Sequence, residues 1–308
     1  MRQKMVEFFS DGSRVKGIVE TPDHDGPLPG IVLCAGYGGI KERLLPDIAH
    51  ALVHVGYAVL RFDYRGFGES EGVRDRLFPL EQVEDIRSAL TYLGEERPVD
   101  ASRLGLLGIS FGGGNAAYTA GVDARVRCAV CVVGFGNGER WMRRLRRQWE
   151  WREFVERLAR DRVARVVNGR SEVVDRLEIM VPDPLSAKVL DEAVRAYPTA
   201  YFKLSLASAE KIIEFKPEDV VDRVAPRAIL FIHAGDDDLI SPEESQLMYA
   251  RAREPKRLVV LPGVPHYGVY SGEAFRRVIA LAHEWYGTHF ALRSGTAAFP
   301  SANEEEIS

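Results

Sequence analysis

Residues 103–113 read Arg-Leu-Gly-Leu-Leu-Gly-Ile-Ser-Phe-Gly-Gly. The run up to Ile109 is short and apolar, as a strand buried on both faces should be. The stretch 111–121 is rich in small residues and reads as a helix. Gly108-Ile109-Ser110-Phe111-Gly112 between them matches G-x-S-x-G in the setting that pattern requires, a strand leading in and a helix leading out. Such a turn is sharp, and glycines on either side of Ser110 keep Cβ atoms from colliding as the chain reverses. It lifts the Ser110 hydroxyl above the carboxyl edge of a sheet, where open α/β sheets place ligands. The helix start aims backbone N–H groups and a positive dipole end at the same point.

Working outward, strand and helix patterns alternate. VEFF and RVKGIVE flank a turn at 10–13 and predict a hairpin over about 3–20. Strands are expected at 30–36, 57–63 and 128–134, with helices at 48–55 and 79–94. After 136 the rhythm breaks. Residues 137–222 carry Arg, Glu and Trp with helical spacing at Trp141, Leu145 and Trp149, and no strand of the earlier kind. Alternation returns with strands at 227–235 and 257–263, and helices from about 242 and at 272–288. The expectation is an α/β fold: a mostly parallel central sheet with helices on both faces. The core is assigned to 1–136 and 223–290, a helical insertion to 137–222, and a disordered tail to 291–308.

A serine hydroxyl is a weak nucleophile and needs a base. Of seven histidines, His24 is in a polar loop, His50, His54, His283 and His289 lie in or beside helices, and His233 is inside a strand. Only His266 follows the last strand, where loops carry catalytic groups. Asp236-Asp237-Asp238 follows the strand at 227–235 and offers three carboxylates to orient that base. The residues themselves leave the choice open.

With the elbow, the acidic loop and the late histidine in place, the chain resembles the α/β-hydrolase superfamily. Asp63-Tyr64-Arg65-Gly66-Phe67-Gly68-Glu69-Ser70 resembles a stretch common in the superfamily, Val99-Asp100 before the 103–109 strand resembles its dienelactone-hydrolase-like and acyl-peptidase-like branches, and Tyr37 resembles a tyrosine of its X-Pro dipeptidyl-peptidase-like branch. The resemblance covers about 25–136 and 223–288. It implies a serine hydrolase of the carboxylesterase type, acting through an acyl-enzyme. Members space the acid three residues after a strand-ending Gly, which from Gly235 favours Asp238 as acid, with Asp236 as its main rival. The implied triad is Ser110, Asp238 and His266. The implied oxyanion donors are the N–H of Phe111 and, from the loop Gly36-Tyr37-Gly38-Gly39, the N–H of Tyr37 or else its phenol. The same triad also serves acyl transfer, amide or C–C bond cleavage, and elimination; a non-catalytic binding protein would be expected to lack the Ser or the His. An insertion in this position forms a cap in relatives, and Trp141, Trp149 and Tyr267 are named as substrate-binding candidates. The competing reading is that Arg and Glu there are solvated pairs and Trp is packing.

Composition narrows the partners. The chain of 308 residues is 46% hydrophobic and 28% charged, and its net charge of −4 gives no reason to expect nucleic acid as a partner. No apolar run reaches the roughly 18 residues that span a bilayer, and the start lacks a secretory signal, so a cytoplasmic location is expected. Cys34, Cys128 and Cys131 sit in apolar segments and read as core. No metal or organic cofactor is implied. The expected partner is a small acyl substrate, and a homodimer is allowed.

Overall fold

The computed structural model describes residues 1–24 and 26–291. Its main sheet has eight strands in the order β1-β2-β4-β3-β5-β6-β9-β10. β1 (Arg2–Ser10) and β2 (Ser13–Thr21) form the expected hairpin, and β2 also runs antiparallel to β4 (Ala58–Phe62). β3 (Leu28–Cys34), β4, β5 (Val99–Ile109), β6 (Val126–Val132), β9 (Ala228–Ala234) and β10 (Lys256–Leu261) pair in parallel. The central strands are apolar along their length because helices cover both faces. Two glycines of β5 show this directly. A Cβ on Gly105 would meet Phe290 of α10 (Gly272–Ala291), and one on Gly108 would meet Ala116 of α3 (Phe111–Val122). Residues three apart on a strand face opposite sides. α1 (Leu45–His54) packs with α10, and α2 (Pro79–Glu95) packs with α3. Observed element ends lie within a few residues of those expected, the largest difference being β5, which starts at Val99 with an irregular register at Leu104/Gly105.

Between β6 and β9 the chain leaves the sheet. It forms α4 (Gly138–Arg144), α5 (Gln148–Asn168), β7 (Val173–Asp175), α6 (Arg176–Ile179), α7 (Pro184–Ala196), a 3-10 turn (Pro198–Ala200), β8 (Lys203–Ser205) and α8 (Leu206–Glu214). Two features depart from expectation. β7 and β8 make a small antiparallel sheet, with Val174 opposite Leu204. Trp141 and Trp149 do not share a helix, because α4 ends at Arg144 and Arg147 is extended (φ −67°, ψ 158°). Glu150 reaches back to the Arg147 N–H and starts α5 there. The expected tail lies outside the described residues from 292 onward.

The segment is tied to the core by charge. Arg140 on α4 meets Glu218 at 2.7 Å and Glu244 at 2.6 Å, the latter on α9 (Pro242–Arg251). Glu244 also accepts the N–H groups of Gly136 and Asn137, where the chain departs from the sheet. Both carboxylates are buried. Burial pushes the Glu218 carboxyl up, but its bonds to Arg140 and Asn137 outweigh this and hold it below the ordinary value. That stabilisation is therefore present above about pH 4.3, the ordinary Glu value, and fades as pH falls through the lowered one. Arg140→Met leaves the buried Glu244 without an ion pair and Glu218 with only Arg251 at 3.4 Å, and is expected to cost about 3 kcal/mol at pH 7. Urea unfolding of both proteins at pH 7 and pH 4 checks this, the difference shrinking at the lower pH.

Candidate active site

Ser110 sits between β5 and α3 with φ 54° and ψ −122°, a conformation that costs a non-glycine residue on the order of 1–3 kcal/mol. Close packing holds it there. A Cβ on Gly108 would lie 2.1 Å from the Gly112 carbonyl oxygen, and one on Gly112 would lie 2.1 Å from that of Cys34. The two glycines thus let β5, α3 and the end of β3 touch backbone to backbone. The Ser110 N–H donates to the Val132 carbonyl at 2.9 Å, and its own carbonyl accepts from Gly113 at 2.8 Å.

His266 lies beyond β10, in a 3-10 turn (His266–Tyr270). Its Nε2 is 3.0 Å from Ser110 Oγ. Its Nδ1 is 2.6 Å from Asp237 Oδ2. A carboxylate at Nδ1 requires the proton there, which leaves Nε2 free to accept from the serine. The loops carrying Asp237 and His266 are tied together by the Gly235 N–H to Leu261 and the Asp236 N–H to Val264, at 2.7 and 3.0 Å.

The carboxylate beside His266 is not the one that the spacing from Gly235 favours. Asp237, not Asp238, meets His266, while Asp236 and Asp238 are exposed on either side of it. β9 ends at Ala234 and the chain then turns around Asp237, whose Oδ1 accepts the N–H groups of Leu239 and Ile240 at 3.0 and 2.7 Å. This Asx turn places the middle carboxylate inward one residue earlier than the spacing from Gly235 suggests. The sequence signal was the apolar Leu239-Ile240 that follows: burying them draws in the side chain that can bond their N–H groups. Burial pushes the Asp237 carboxyl up, but bonds from His233, His266 and the Ile240 N–H bring it down to about 2. His233, read from sequence as structural, belongs to this network. Its Nδ1 is 2.6 Å from Ser245 Oγ, and its Nε2 is 2.8 Å from the Ile240 carbonyl and 3.5 Å from Asp237 Oδ2.

Gly36 approaches Ser110 so closely that a Cβ there would be 3.3 Å from the serine Cβ. The following amide, Tyr37 N–H, and the Phe111 N–H at the start of α3 have no hydrogen-bond partner among the described residues. The Tyr37 phenol is engaged elsewhere, donating to the Arg176 carbonyl at 3.1 Å, with burial raising its pKa. Its ring lies between Phe111 and Phe202.

The cavity at Ser110 is lined by the loop after β3, by Arg43, by Leu239, by Tyr267 and Tyr270, and by Arg176, Met180 and Leu190. Tyr267 is thus among the lining residues. The two tryptophans are not. Trp141 is buried behind the cavity, stacked on Phe135 at 4.8 Å and donating Nε1–H to the Leu239 carbonyl at 2.9 Å. Trp149 is half exposed in an outer groove with Arg146 and Glu153. An aromatic in a polar helical segment can pack or line a pocket, and its tertiary neighbours decide which. Among the described residues, no group of three or more His, Cys, Asp or Glu side chains could hold a metal ion. None of the described helices is long and apolar enough to cross a membrane.

This sheet, with its elbow serine at the end of β5 and its acid and histidine loops after β9 and β10, is that of an α/β-hydrolase. The family model described as serine aminopeptidase, S33, matches residues 27–269, and the chain belongs to that family. It is 33% identical over 286 residues to an uncharacterized 31.7 kDa protein of Escherichia coli, covering 91% of this chain and 99% of that protein. It is 25% identical to the thiohydrolase aneE of Aspergillus aculeatus, covering 94% and 96%. The solved α/β hydrolase GrgF from a Penicillium species superposes with TM-score 0.81 at 22% identity, covering 95% of this chain and all of that one.

Because the Tyr37 phenol is already engaged by the Arg176 carbonyl, Tyr37→Phe is expected to leave kcat within about threefold. Steady-state kinetics on an ester that is turned over test this. A loss of about a hundredfold or more would instead give the phenol an oxyanion-donor role.

Proposed function

We propose that the protein is a serine hydrolase that cleaves an ester or thioester through an acyl-enzyme on Ser110. The observation that carries this is the 3.0 Å approach of His266 Nε2 to the strained elbow serine, with Asp237 at 2.6 Å behind it. Ser110 Oγ attacks the substrate carbonyl carbon as its proton passes to His266 Nε2. Negative charge develops on the carbonyl oxygen and is met by the Tyr37 and Phe111 N–H groups. The tetrahedral intermediate collapses, His266 returns the proton to the leaving oxygen or sulfur, and the acyl group stays on Ser110. Water, deprotonated by His266, then releases the acid and restores the serine. Asp237 holds the Nδ1 proton in place and stabilises the imidazolium formed in each half-reaction.

The similarity to a thiohydrolase supports a thioester as well as an oxoester substrate. The segment 137–222 acts as a cap in this reading, since Arg176, Met180, Leu190, Ala193 and Ala200 all face the cavity at Ser110. That cavity offers about 40 Å³ to water-sized spheres, room for a few waters, so a short acyl group fits without rearrangement.

A fluorophosphonate probe followed by peptide mapping is expected to label Ser110 in the folded protein. Labelling that spares Ser110 would remove it as the nucleophile. Asp237→Asn is expected to lower kcat by about 10³–10⁴, because an amide cannot hold the same imidazole tautomer. Asp238→Asn, on the exposed neighbour, is expected to stay within about threefold. With Asp237 held near 2, it is ionised at every ordinary assay pH, so the acid limb of the pH–rate profile belongs to another group.

A further inference from the structure

The charged residues lining the cavity at Ser110 are Arg43 and Arg176. Arg176 is 5% exposed. Its guanidinium donates to the Ala200 carbonyl at 2.8 Å and lies 3.5 Å from that of Leu190, and no carboxylate lies within ion-pair distance of it among the described residues. Arg43 is half-buried beside the Tyr267 ring, 6.0 Å from its centroid, likewise with no ion-pair partner among the described residues. The Arg-rich surface of the same segment behaves differently: Arg157 and Arg165, for instance, pair with Glu172, Glu178, Asp161 and Glu210. Two carboxylates close to the cavity are committed to helix starts, and Asp237 is committed to His266. Asp175 accepts the Leu177 N–H at the start of α6, and Asp183 accepts those of Leu185 and Ser186 at the start of α7. The Arg176 guanidinium also lies over the Phe202 ring, 5.3 Å from its centroid, but a buried cation without an ion-paired carboxylate is costly.

A second observation is independent of charge. Tyr270 also lines this cavity, and its hydroxyl is buried with no hydrogen-bond partner among the described residues. Arg43, Arg176 and Tyr270 therefore line one cavity with Ser110, and each of the three side chains carries a donor. A group that accepts from all of them is an anion bearing two or more oxygens.

We propose that the cavity binds an anionic oxygen group of the substrate, a carboxylate or phosphate, between Arg43, Arg176 and the Tyr270 hydroxyl. This deepens the esterase reading by naming a substrate class: an ester or thioester whose acyl part or leaving group carries negative charge. The apolar remainder of the lining, Met180, Leu190 and Leu239, faces the short chain that joins the anion to the reacting carbonyl, and at about 40 Å³ the cavity must widen as that chain enters.

Ligand-observed NMR titration of the Ser110→Ala protein with monomethyl glutarate, neutral dimethyl glutarate and phenyl phosphate tests this. At least one anion is expected to bind about tenfold or more tighter than the neutral diester, the scale of one charge-assisted contact. Preference for the glutarate monoanion assigns the charge to a carboxylate, and preference for phenyl phosphate assigns it to a phosphate. Arg43→Met, Arg176→Met and Tyr270→Phe are each expected to shrink the preference; Arg43 is half-buried, so its variant remains informative if the Arg176 variant fails to fold. Equal affinity for anion and neutral diester, no saturable binding of either anion, or a preference untouched by Arg43→Met overturns the proposal. Fluorophosphonate labelling of the unsubstituted protein separates the two readings. Labelling of Ser110 without an anion preference removes only the subsite, and an anion preference without labelling removes only the catalytic role.

Discussion

The backbone crossing at Gly112 is the constraint on which the site depends. There α3 begins so close to the end of β3 that no side chain fits between them. The same crossing forces Ser110 into its strained turn and sets the loop after β3 beside it. It also leaves the Tyr37 and Phe111 amides without partners next to the serine. A buried amide without a partner is normally a defect. Here two partnerless amides flank Ser110, and in the proposed mechanism a developing oxyanion would satisfy both. The strain at Ser110 is tolerated because the parallel strands on either side of β5 are themselves fixed by helices on both faces.

Geometry across the sheet completes the arrangement. β9 and β10 lie next to each other, so their following loops are neighbours, and two backbone hydrogen bonds lock them together. Within the first loop, burial chooses among three consecutive carboxylates. The one that turns inward is held by two backbone N–H groups and two histidines, and the outer two stay in water. His233 and Ser245 form a layer behind Asp237 that fixes its direction, as outer hydrogen bonds commonly do for functional groups.

Much of this was legible from sequence because it rests on periodicity and turn chemistry. The apolar runs of β3, β5 and β9, the helical spacing of α2, and the G-x-S-x-G turn all report local physics. Ser110 and His266 follow from position after a strand. Asp237 did not, because the inward side of an Asx turn depends on what packs beneath it, and spacing from Gly235 pointed one residue on. β7 and β8 escaped because three residues carry no usable period. Trp141 was misplaced because an indole that packs and one that lines a pocket look alike until Phe135 and the Leu239 carbonyl are seen beside it. Arg43, Arg176 and Tyr270 come from three distant parts of the chain, and only the tertiary fold brings them to one cavity.

The sheet positions Ser110, His266 and Asp237, and the segment between β6 and β9 lines much of the cavity beside them. The central claim is that Ser110 becomes acylated. Rapid acid quench of the protein with a short-chain thioester, followed by digestion and mass measurement, addresses this directly. The account predicts the acyl mass on the peptide containing Ser110, and none on the same peptide from the Ser110→Ala protein. Turnover of the thioester with no acyl group on that peptide, or with the acyl group on another residue, would contradict it.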